Sequence, residues 1–204
     1  MGLSATCLGA IALLTFAPPA FAHHPFGGDM PTTALAGFLS GVGHPVIGID
    51  HLAFVVAVGL IAAVVRNGWT VAIAFLLAAV TGTGIHLMNA SLPAPELVIS
   101  ASVLLFGILA AVRRELNPQA LVALVGFLGM FHGYAYGEAV VGAEPTPILA
   151  YLLGFTAVQT LIASATYCVF RQGIKRHGSM QFVPLKMLAA AICGAGAVLL
   201  AGAV

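Results

Sequence analysis

The sequence predicts an all-α polytopic membrane protein: a six-helix transmembrane bundle with a broken first span, preceded by a cleavable signal peptide. Three observations carry that expectation. Of the 204 residues, 61% are hydrophobic and only 6% are charged, where soluble domains carry about 25% charged residues. A mean hydropathy of +1.09 describes a chain whose surface, and not only its core, is apolar. The apolar residues also fall into successive runs close to the roughly 20 residues that cross a hydrocarbon core. The net charge of +1 excludes the basic footprint of a nucleic-acid binder.

Residues 1–22 have the form of a secretory signal. Leu8 to Phe16 is an apolar core, and Ala20-Phe21-Ala22 is an A-x-A cleavage site. No Lys or Arg precedes that core, so an uncleaved first helix stays open. Cleavage would start the mature six-span domain, 23–204, at His23-His24-Pro25, where an amino group and two imidazoles could capture a metal loosely or form no more than a polar tip. The three cysteines, Cys7, Cys168 and Cys193, are too widely spaced for a disulfide framework or a paired ligand motif.

Six spans follow, near 33–65, 69–90, 97–112, 119–137, 148–170 and 185–203. As one straight helix the first would extend about 48 Å, far beyond the bilayer core. Gly41, Gly43, Pro45 and Gly48 lie in its middle, which predicts a broken or re-entrant segment buried in protein or lining a polar cavity. Gly37 and Gly41 have the small-xxx-small spacing that lets helices approach closely. All seven basic residues fall between alternate spans: Arg66 after the first, Arg113 and Arg114 after the third, and Arg171, Lys175, Arg176 and Lys186 around the loop after the fifth. The positive-inside rule puts those loops in the cytoplasm and both mature termini outside a bacterial inner membrane. A cleaved signal requires the same outward amino end.

Ionisable groups within spans are costly and mark function. His44-Pro45-Val46-Ile47-Gly48-Ile49-Asp50-His51, inside the broken span, brings two imidazoles and a carboxylate together, donors suited to Ni, Co, Zn or Cu. The alternative is a hydrogen-bonded Asp-His pair that stabilises the break. The second set is Phe131-His132-Gly133-Tyr134-Ala135-Tyr136-Gly137-Glu138; His132 and Tyr136 share a helix face, and Glu138 joins them only if the glycines unwind the end of the span. Counting helical rise from the basic ends puts His51, His132, Glu96 and His86 about 21–28 Å up, in the outer half of the layer. His86 could instead be an interfacial hydrogen-bonding residue, and Glu96 could simply favour a helix N-terminus. Gln159 reads as an interhelical hydrogen bond, and His177 as a solvated loop residue.

These residues resemble the HupE/UreJ family of nickel and cobalt permeases. The resemblance rests on His44-Pro45-x-x-Gly48-x-Asp50-His51 with the apolar run through Gly59, on the Phe131-His132-Gly133-x-Ala135 signature with Glu138 behind it, and on Glu96 opening the third span. It covers nearly the whole chain. It implies secondary uptake of Ni²⁺ or Co²⁺ as substrate, without a resident cofactor, with His44, Asp50, His51, His132 and Glu138 as metal residues. His86, Glu96, Tyr136, His23 and His24 are weaker members of the pathway. Where the family signature has a second His, this chain has Tyr136, a phenol in place of an imidazole. No phosphate-binding loop of the G-x-x-x-x-G-K-[ST] type occurs. Two other classes stay open: an intramembrane zinc-dependent hydrolase, and a metal-binding accessory subunit that does not transport. A second copy of the chain or accessory subunits are open as partners beside the lipid and the ion.

Overall fold

The computed structural model describes residues 30–112, 117–178 and 182–204. The signal segment 1–22, His23, His24 and the Arg113–Arg114 pair lie outside them. The described chain is helical: α1 (Ala34–Ile47), α2 (Ile49–Val64), α3 (Trp69–Leu87), α4 (Pro95–Val112), α5 (Pro118–Gly137) with a 3-10 turn Glu138–Val140, α6 (Pro145–His177) and α7 (Val183–Gly202). Five helices are long and apolar enough to cross a membrane, and α1 with α2 makes a sixth crossing if the bent pair counts as one span. The described residues therefore make an all-helical membrane protein.

Helix starts follow local chemistry. Thr33 accepts from the Ala36 amide at 3.1 Å before α1, and Asn117 accepts from the Gln119 amide at 2.9 Å before α5, with Pro118 at the first helical position. The expected break in the first span is present but narrow. Gly41, Gly43 and Pro45 remain helical, only Gly48 leaves the helix (φ −70°, ψ 105°), and the axis turns by 78° there. Pro45 cannot donate to the carbonyl one turn back, which weakens the helix just before that turn. The fifth span departs further from expectation. Its helix runs on through Arg171, Lys175 and Arg176 to His177, where a loop was expected, because cations in a final turn favour the negative end of the helix dipole.

The core is α2. From Phe54 to Ala63 all residues but Val56 are buried, so a helix that is apolar all round is enclosed by α3, α4, α6 and α7. Around it, three helix pairs pack backbone to backbone through glycines. Gly37 and Gly41 of α1 lie on the Pro147 and Tyr151 carbonyls of α6, Gly82 of α3 lies on the Met130 carbonyl of α5 and Gly133 of α5 on the Ala79 carbonyl of α3, and Gly107 and Gly196 join α4 to α7. Lipid gives helices no hydrophobic reason to associate, so close backbone contact must supply the cohesion. Residue 79 meets 133 and residue 75 meets 129, whereas 107 meets 193 and 104 meets 196. So α3 and α5 run in the same sense and α4 and α7 run oppositely, as alternating crossings require. The bent α1–α2 unit follows α6: Gly59 rests on Ala163, and Arg171 donates to the Ala63 carbonyl at 3.0 Å.

Candidate metal site

The break at Gly48 is where the chemistry gathers. A methyl group on Gly48 would fall 2.8 Å from the His51 ring and 3.1 Å from Asp50 Oδ1, so only glycine lets both side chains fold back over the start of α2. Asp50 is half-buried in the first turn and accepts from the His51 amide at 2.8 Å, at the end of the helix where a carboxylate is stabilised.

His44 from α1, His51 from α2 and His132 from α5 are all buried at 0–1% exposure. The His44 and His51 ring centroids are 5.4 Å apart, and those of His51 and His132 5.2 Å. Tyr136 fills the space between them and α6, with its ring 5.1 Å from His44, 4.3 Å from His51 and 5.2 Å from Phe155. On the other side Phe54 stacks on His132 at 4.0 Å and packs on Phe75 and Phe106.

Hydrogen bonds assign a tautomer to each ring. The Ser102 hydroxyl donates to the Ile99 carbonyl at 2.6 Å, so its oxygen accepts from His132 Nε2–H at 2.8 Å. His132 Nδ1 then holds a lone pair and accepts from His51 Nδ1–H at 3.0 Å. That places the His51 lone pair on Nε2. The same reasoning applies to His44. The Tyr151 hydroxyl donates to the Tyr136 carbonyl at 2.8 Å, and its oxygen accepts from His44 Nδ1–H at 2.9 Å, which places the His44 lone pair on Nε2 as well. His44 and His51 thus share one tautomer, with the proton on Nδ1 and each ring oriented by the hydrogen bond made there. Among the described residues, no three His, Cys, Asp or Glu side chains already converge in ligating geometry. Part of the reason is that His51 and His132 turn their Nδ1 atoms toward each other.

The structure therefore joins His44, His51, His132 and Tyr136, with Asp50 at the rim. Glu138 stands apart, exposed at the start of the 3-10 turn. The glycines do loosen the helix there, but the turn carries the carboxylate outward. Glu96 is exposed in the first turn of α4, where the dipole accounts for it. His86 lies at the α3–α5 seam, with Nδ1–H donating to the Tyr134 carbonyl at 2.8 Å. His177 stacks on Phe182 at a helix end where a loop was expected. Gln159 was expected to bond across helices; it is fully buried, and neither amide atom has a partner among the described residues. Two residues that sequence reasoning missed are Ser102 and Tyr151. Tyr151 had one signal: Tyr151, Phe155, Gln159 and Ala163 recur every fourth residue along one face of α6.

If Tyr151 orients His44, Tyr151→Phe keeps the aromatic packing but removes both hydrogen bonds. Metal affinity is expected to fall about tenfold with little loss of folded protein, as titration of the purified variant with Co²⁺ would show.

Imidazoles buried at the break of an apolar helix pair, and hydrogen-bonded to hydroxyls or to one another, define a polytopic helical membrane protein with a buried histidine cluster. The HupE / UreJ protein family matches residues 11–199. The chain is 31% identical over 200 residues to Protein HupE of Rhizobium leguminosarum bv. viciae, an alignment covering 97% of this chain and 96% of that one. The chain belongs to the HupE/UreJ family. No solved structure matches it.

Proposed function

We propose that the protein is a secondary permease that takes up a divalent transition metal, nickel or cobalt, across the bacterial inner membrane, with both mature termini facing the periplasm. The observation that carries this reading is the buried cluster of imidazole nitrogens, His44 and His51 from the two sides of a broken span with His132 beside them. A hydrated ion arriving from outside exchanges water for these nitrogens, and Asp50 offsets part of its charge. His132 acts behind His51, fixing its tautomer through the Ser102 relay, and Tyr151 does the same for His44. A site held by hydrogen bonds, and not set rigidly around a centre, suits cargo that must both bind and leave. The membrane potential favours inward movement by about 4.6 kcal/mol per 100 mV for a divalent ion.

Uptake of radiolabelled Ni²⁺ and Co²⁺ by cells expressing the protein tests this. Accumulation above the empty-vector control is expected for one or both ions. Background uptake of both, with the protein present in the membrane, would overturn the reading. Stoichiometric Zn²⁺ retained through purification, together with hydrolytic activity, would favour the enzyme alternative instead.

A further inference from the structure

Gln159 has no part in the chemistry above, yet it is the buried side chain most in need of explanation. Its amide offers two donors and a carbonyl acceptor, is 0% exposed, and finds no partner among the described residues. The Tyr136 hydroxyl is in the same condition. Buried polar groups in native proteins are satisfied by protein or by ordered water, and an unsatisfied one in a membrane interior is severely penalised. Both groups share one stretch of α6: Tyr136 stacks on its Phe155, and Gln159 follows Phe155 by one turn on the same face. Gln159 sits toward the basic end of α6, between the level of the His51–Tyr136–Phe155 stack and that of Ala163, where Gly59 closes the α2–α6 contact. On the opposite side of the histidines, Phe54, Phe75 and Phe106 form a dry aromatic block.

We propose that Gln159 and the Tyr136 hydroxyl form a buried hydration site, an inner station at which water receives the divalent ion as it leaves the imidazoles. The site extends the permease reading by naming the route below the nitrogen donors. An ion leaving His44 and His51 toward the Phe54 side meets His132, whose ring nitrogens are already bonded to His51 and Ser102, and then the Phe54, Phe75 and Phe106 rings. Toward α6 it meets an amide carbonyl, a phenol and the water they hold, which replace nitrogen ligands with oxygen ligands before the ion regains its full hydration shell. An internal water needs two to four polar partners, and the amide and phenol supply them.

Hydroxyl-radical labelling by X-ray radiolysis, in native membranes, reads bound water directly and does not depend on transport. Labelling of the 151–163 peptide, at Tyr151 or Phe155, is expected in the wild type. It should fall by about tenfold in Gln159→Leu, the loss that accompanies removal of a hydrogen-bonding partner worth one decade, while labelling of Met88 at the exposed end of α3 is unchanged. Gln159→Asn, which keeps the amide, should retain the label. In uptake assays Gln159→Leu should be slowed by a similar factor, while Co²⁺ bound at the imidazoles keeps its visible absorption spectrum. A wild-type 151–163 peptide that stays unlabelled while the loops are modified would overturn the site, as would Gln159→Leu with wild-type labelling. If wild-type cells accumulate neither ion but the label is present and lost in Gln159→Leu, the permease reading fails and the hydration site stands.

Discussion

Replacing His51 by alanine is expected to reduce Ni²⁺ or Co²⁺ accumulation to the level of cells lacking the protein, at unchanged abundance in the membrane. The variant removes one imidazole of the buried cluster and leaves His132 Nδ1 without its hydrogen-bond donor. His132 separates a ligand from a residue that orients one. If it acts only through His51, His132→Asn should retain much of the function, because its carbonyl can still accept from His51 Nδ1–H. His132→Leu should weaken Co²⁺ binding about 10–100-fold, the range for removing a partner that holds a metal-binding imidazole. Titrating purified protein with Co²⁺ and following its visible spectrum distinguishes the cases. Equal, complete loss in both variants would make His132 a direct ligand; unchanged binding in His132→Leu would remove it from the site altogether.

The largest effect on stability is expected at Gly133. A Cβ there would overlap the Ala79 carbonyl of α3, and neither backbone can retreat without opening the seam that also holds the Thr83 hydroxyl, donating to the Gly133 carbonyl at 2.8 Å. Gly133→Ala should cost at least about 1–3 kcal/mol, the usual penalty for overfilling a packed interior. Gly126 lies on the same helix with open space around it, so Gly126→Ala should be neutral or slightly stabilising. Denaturation in mixed detergent micelles, comparing the two alanine variants, checks the difference. Equal stabilities would mean that the seam is not a packing contact. Because His132 immediately precedes Gly133, loss of the seam should also loosen metal binding.

Much of this architecture was legible in the linear chain, because bilayer thickness imposes a length on each span and the cost of buried charge confines Arg and Lys to the ends. The broken first span was legible from its length and from its glycines and proline. Which of those would break was not: Gly41 is kept helical by packing against α6, whereas Gly48 gives way because His51 and Asp50 need the room of a missing Cβ. The reach of α6 was hidden by the same rule that located the spans, since a cluster of cations reads as a loop even where helix propensity carries on through it. His44, His51 and His132 could be named as a group because imidazoles are rare in apolar runs. Ser102 and Tyr151, which assign their tautomers, carry no comparable signal, as serine and tyrosine are ordinary in membrane helices. Glu138 looked like a ligand in the motif, but its direction depends on how the helix ends, which residue order does not specify.

The 33 residues of α6 make a rod about 50 Å long, while the oily layer is about 30 Å deep. The surplus at its far end carries Arg171, which donates to the Ala63 carbonyl, and the exposed Lys175 and Arg176, whose charge is costly in hydrocarbon. Because Tyr151 belongs to the same rod and bonds His44, one continuous helix links the buried imidazoles to the cations at its far end, with no hinge between them.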